Sequence, residues 1–173
     1  MNRTNTCTLG FLAAAFVVVS FCVPFSAPAQ AAGNFVKQVL DHEASVTWIT
    51  YKTPTLPDDV CTALSVCSGP EAKVAALPPA TIGGRKVGRA LFLTHAKNQP
   101  AIVLEHQVPG REVYFFLLGP DGSLKQTAYL EEGKSFLVIA NSLAQPVFNA
   151  DMKDWSAWAE KLGTAKPAAD KGN

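Results

Sequence analysis

The stretch from Gly84 to Asn141 constrains the fold more than any other part of this chain. It holds five strand-like runs, Val87–His95, Ala101–Gln107, Glu112–Leu118, Leu124–Tyr129 and Ser135–Ala140, each rich in β-branched, aromatic or aliphatic residues. Turn chemistry fills every gap. Lys97-Asn98-Gln99-Pro100 separates the first two runs, and Pro109-Gly110 suits a type II turn. Gly119-Pro120-Asp121-Gly122 suits a type I turn with Gly122 in the left-handed position, and Glu131-Glu132-Gly133 makes the last. Gly83-Gly84-Arg85-Lys86, just before the first run, reads as a hairpin turn. Gaps of no more than five residues are too short for parallel crossovers, so neighbouring strands must pair antiparallel. The expected fold is therefore α+β: an antiparallel β-meander of five to seven strands, with a packed C-terminal helix and a short N-terminal helix.

The strands do not alternate as a sheet with one wet face should. Tyr114-Phe115-Phe116-Leu117-Leu118, Leu91-Phe92-Leu93 and Phe136-Leu137-Val138-Ile139 are apolar on both sides. Helices can cover one face. The other must be closed by the Ala32–Leu77 half of the chain, by curling, by a partner or by an apolar ligand, for which Phe92, Phe115 and Phe116 are the candidate pocket residues.

Asp151 to Leu162 predicts a helix, with Met152, Trp155, Trp158, Ala159 and Leu162 on one face and Lys153, Asp154, Glu160 and Lys161 on the other. Asn149 or Asp151 can cap it and Gly163 can end it. The Trp155/Trp158 pair reads as a docking stripe against the sheet. Asn34 to Glu43 predicts a short helix on Phe35, Val36, Val39 and Leu40, with Asn34 as N-cap. Val46 to Tyr51, which includes Trp48, reads as a strand with the tryptophan in the core, and Val74 to Leu77 as a brief strand ended by Pro78-Pro79. The run from Thr164 to Asn173 lacks apolar residues to bury and is expected to be a disordered tail.

The first 31 residues have the three-part layout of a secretory signal peptide. Met1–Thr8 is polar with Arg3, Leu9–Phe25 is almost unbroken hydrophobic sequence, and Ala27-Pro28-Ala29-Gln30-Ala31 offers small residues for cleavage after Ala31 or Ala29. Cys22 follows the bulky Phe21, which argues against lipidation. The expected destination is the periplasm or the exterior, without stable membrane insertion after cleavage. What remains, residues 32–163 plus the tail, is one domain by size. The chain has 15 Lys and Arg against 14 Asp and Glu, and losing Arg3 brings the count level. Arg85, Lys86 and Arg89 are the densest basic group, a poor patch for phosphate, so nucleic acid is not an expected partner.

Cys61 and Cys67 remain after export, and an even number in an oxidising compartment predicts a disulfide. Residues six apart in an intact helix are separated by about 9 Å of rise, while a disulfide tolerates Cα separations of roughly 4.4–6.8 Å. If the two are joined, Val60–Ser68 must be a loop, or a helical turn that breaks before Cys67. A C-x-x-C redox spacing is absent.

No catalytic, cofactor or metal motif rises above background. His95 and His106 should sit at opposite ends of a hairpin, and Glu105 and His106 on opposite faces of a strand. Neither G-x-S-x-G nor a P-loop occurs, and the pairs Asp58-Asp59 and Glu131-Glu132 lie at expected turns. By elimination, the functional expectation is a non-enzymatic exported binding or accessory protein acting on a protein or envelope partner. Its recognition surface would be the stapled segment 58–68, through Asp58, Asp59, Thr62, Leu64 and Ser65. Self-association, a carrier of a small apolar ligand on the sheet, and a cofactor-independent hydrolase with an unfamiliar site are the competing readings.

Overall fold

The computed structural model describes residues 28–48, 56–66, 73–131 and 135–164. Its elements run α1 (Pro28–Asp41), a 3-10 turn (Glu43–Ser45), α2 (Asp58–Leu64), β1 (Lys73–Ile82), β2 (Arg85–Ala96), β3 (Gln99–Gln107), β4 (Glu112–Leu118), β5 (Leu124–Glu131), β6 (Leu137–Ile139) and α3 (Asn141–Thr164). The six strands form one antiparallel sheet in chain order, the meander that the short gaps require.

Turns set the registers. Gly83 and Gly84 have φ of 58° and 76°, and Lys97 and Asn98 have 51° and 64°. Both are two-residue hairpin loops with left-handed backbone at both positions, the twist that matches flanking strands. The second loop is tighter than expected, because Gln99 and Pro100 already belong to β3. Gly110 and Gly122 take the positive φ their turns need, 66° and 74°.

Strand parity then sorts the side chains into two cores. Leu91, Leu93, Ile102, Leu104, Phe116 and Leu118 point to one face, where they meet α1 and α3. Phe92, Val103, Phe115 and Ala128 point to the other, where they meet Leu56, Val60, Leu64 and Val66 around α2. The chain's own N-terminal half thus covers the second face.

In α1, Ala32, Phe35, Val36 and Val39 form the buried stripe. The helix starts well before Asn34, which sits inside it rather than capping it. Its first turns pass so close to the β4–β5 turn that a Cβ on Gly122 would lie 2.1 Å from the Ala32 carbonyl carbon. In α3, the stripe Ala144, Phe148, Met152, Trp155, Ala159 and Leu162 is buried, and Trp158 packs partly against it, the docking role expected of the tryptophans. Phe35 meets Trp155 edge-on at 5.7 Å between ring centroids. The helix begins at Asn141, ten residues before Asp151. Asn149 and Asp151, the expected caps, lie inside the helix, and Pro146, also inside it, forfeits one backbone hydrogen bond, that to the Ser142 carbonyl.

Three strand expectations need correction. Val46–Trp48 is irregular chain after the 3-10 turn rather than a strand, and residues 49–51 lie outside the described residues. Trp48 is half-buried, donating from Nε1 to the Glu43 carbonyl at 3.1 Å. The strand at Val74 runs on through Pro78-Pro79 to Ile82, because β1 is a sheet edge and the pairing slips between Leu77 and Ala80. An edge strand with a bulge tolerates missing N–H groups. The last strand is shorter than expected, only Leu137–Ile139. The tail after Thr164 and residues 1–27 lie outside the described residues, so the leader and the tail stay as expectations; the expected cleavage points, after Ala29 and Ala31, fall inside α1, where the Ala31 carbonyl accepts from Ser156 Oγ at 3.4 Å.

Candidate functional site

The segment singled out from sequence is a short helix. Asp58 and Asp59 occupy its first turn, where carboxylates suit the positive end of the helix. Ser65 ends it in a left-handed conformation, φ 54°. The helix therefore breaks before Cys67, as a crosslink to Cys61 would demand. Cys61 is disulfide-bonded, and Cys67 lies outside the described residues. Asp58, Asp59, Thr62 and Ser65 are exposed. Leu64 is not: with Val60 it is buried in the second core, and its assignment to a recognition surface is corrected. The helical period requires this, since positions four apart share the inward face. Gln126 Nε2 of β5 donates to the Ala63 carbonyl at 2.7 Å, a further tie between α2 and the sheet.

The proposed apolar pocket is also corrected. Phe92 and Phe115 lie in the second core, 6.3 Å apart between centroids, but Phe116 lies in the first. Successive strand residues face opposite ways, so Phe115 and Phe116 cannot line one cavity. Both faces are filled by the protein's own side chains.

A second constellation was missed. On the α1/α3 face, antiparallel register aligns Arg89 of β2 with His106 of β3, His106 with Tyr114 of β4, and Tyr114 with Tyr129 of β5. This row of polar side chains crosses the sheet beneath α3, which lowers Asp151 onto it. His106 is 4% exposed and Asp151 1%. The His106 Nδ1 atom lies 3.2 Å from Asp151 Oδ2, out of line for a full hydrogen bond. Trp155 Nε1 donates to the same oxygen at 3.0 Å. The Arg89 guanidinium lies over the Trp155 ring at 5.5 Å, donates from Nη2 to the Pro78 carbonyl at 3.1 Å, and approaches Asp151 at 3.9 Å and Asp154 at 3.6 Å. Its charge compensates the buried Asp151 carboxylate. Arg89 Nε and Nη1, His106 Nδ1 and Asp151 Oδ1 lack hydrogen-bond partners among the described residues. Burial, reinforced by the Glu112 carboxylate, raises the Tyr114 hydroxyl pKa.

A groove of about 350 Å³ opens beside this cluster, between the β1–β2 turn, the start of β4 and the Pro146–Ala150 turn of α3. His106 lines it. No sequence motif announces the cluster, because its members come from five elements, β2 to β5 and α3, and only the register and the docking of α3 unite them.

His95 and His106 fall at opposite ends of the β2–β3 hairpin, paired with Pro100 and Arg89 respectively. Among the described residues, no group of three or more His, Cys, Asp and Glu could hold a metal ion, and no helix is long and apolar enough to cross a membrane. Glu105 faces away from His106, between Ala90 and Phe115, and burial raises its pKa. The chain matches no protein-family model, no curated protein and no solved structure.

Proposed function

We propose that this chain is a non-enzymatic exported binding or accessory protein that engages a protein or envelope partner through the polar side of α2. One observation carries the reading. The inward side of α2 is locked, by Val60 and Leu64 in the core and by Cys61 in a disulfide, while Asp58, Asp59, Thr62 and Ser65 stand exposed. A ridge held this way loses little conformational freedom on docking. The adjacent carboxylates favour a partner that presents basic side chains. Cys67 is the proposed other half of the crosslink, and such a bond supports the reading of an exported chain, since disulfides persist in oxidising compartments.

The test is a comparative capture from envelope extract, with the mature protein and the Asp58→Lys/Asp59→Lys double variant as baits. A specific partner retained by the first and weakened at least about tenfold by the second, at unchanged melting temperature, supports the reading. A partner held equally by both overturns it. Thiol labelling of the denatured, unreduced protein checks the crosslink, and free thiols at Cys61 and Cys67 would remove the lock.

A further inference from the structure

We propose that the groove beside His106 binds a small, largely apolar molecule carrying one hydrogen-bond donor, a hydroxyl or amino group, which His106 Nε2 accepts. This site lies on the α1/α3 face, away from α2, and does not depend on the role of α2.

The lining points to that chemistry. Val87, Val108 and Val147 supply apolar walls, and Ala150 forms an exposed rim. At about 350 Å³ the groove falls at the small end of ligand-pocket volumes, roughly 300–1,000 Å³. Its charged lining residues, Arg85 and Glu112, are already paired with each other at 3.0 Å. The imidazole of His106 is the buried polar side chain of the lining.

The tautomer of His106 follows from its buried neighbours. Nδ1 faces the Asp151 carboxylate at 3.2 Å, and the same carboxylate oxygen accepts from Trp155 Nε1 at 3.0 Å. A proton on Nδ1 is attracted to it, which leaves Nε2 with its lone pair free. Asp151 is thus a positioning residue for the ring. A ligand that brings a donor makes a hydrogen bond beside apolar walls, whereas an isostere with a methyl group displaces water from the nitrogen and leaves it unpaired.

The experiment uses the mature protein, labelled with ¹⁵N, and two isosteric probes, p-cresol and p-xylene. Long-range ¹H–¹⁵N spectra follow the imidazole nitrogens, with exposed His95 as internal reference. The expected result is that millimolar p-cresol shifts His106 Nε2 and the amides of Val108 and Ala150, and that p-xylene binds at least about tenfold more weakly. His106→Phe should abolish the preference between the probes. Because that variant alters a buried position, Ala150→Trp, made at the exposed rim, provides a second arm and should weaken p-cresol at least about tenfold by filling the groove. Equal binding of the two probes, no movement of the groove resonances, or undiminished p-cresol binding to Ala150→Trp would overturn the proposal.

Discussion

On one face of the sheet lie the 14 residues of α1 and the 24 of α3; on the other lie the seven of α2. The long helices bury a wide apolar field that includes Trp155, Phe35 and Phe148, and they also enclose a charged cluster. Trp155 serves both ends, packing against Phe35 and hydrogen-bonding Asp151. The α2 face is smaller, and a disulfide at Cys61 supplements its core. A large interface can bear the cost of sequestering a carboxylate and an arginine, because the surrounding apolar burial offsets it. A small one is better closed by packing and a covalent tie.

The sharpest way to break this contrast is Trp155→Ala. Removing an aromatic side chain that is fully buried and also holds a buried carboxylate should cost about 3–5 kcal/mol, read as a lower urea midpoint for the whole domain. A loss below about 1 kcal/mol would mean that the α3 face is not the main store of stability. Leu64→Ala should cost about 2–4 kcal/mol, but its signature should be local. Hydrogen exchange should accelerate in α2 while α1 and α3 keep their protection. If Leu64→Ala loosens both faces equally, the two cores are one cooperative unit and the contrast fails.

Gly122→Ala probes the seam between α1 and the β4–β5 turn. The added Cβ meets α1 backbone, and the residue must also hold a φ of 74°. An expected cost of about 2 kcal/mol, with α1 amides losing protection first, would show that the helix depends on this one close approach.

The smallest effect concerns Glu105 on the α2 face. Burial raises its pKa above the ordinary 4.5, so the folded state binds the proton more tightly than the unfolded chain. The penalty is absent at low pH. It grows as pH rises from the unfolded-state pKa through the raised folded-state value, and is fully present above that. Glu105→Gln should therefore raise the melting temperature at pH 8 more than at pH 4. An equal change at both would assign the effect to packing alone.

The meander was legible because turn residues and short gaps leave few alternatives. Glu112–Leu118 matches β4 end to end, and Gly83-Gly84 makes the hairpin its glycines announce. The doubly apolar strands also told correctly that both faces need cover. Helix limits were less legible. Pro146 hid the start of α3, and Asn34 posed as a cap inside α1, since local signals yield to packing when a long apolar stripe has a sheet to meet. Of the residues expected to form a recognition surface, Asp58, Asp59, Thr62 and Ser65 face outward and Leu64 does not, because the segment was read without its helical period.

Strand order, pairing direction and the need for two cores were written in the chain itself, through spacing, turn residues and polarity, all of which act between near neighbours. Which helix covers which face, and the meeting of Arg89, His106 and Asp151, were decided only when the sheet formed and α3 settled on it. Those three residues are up to 62 positions apart in the chain. Register brings the first two side by side and helix docking supplies the third, and neither leaves a local signature.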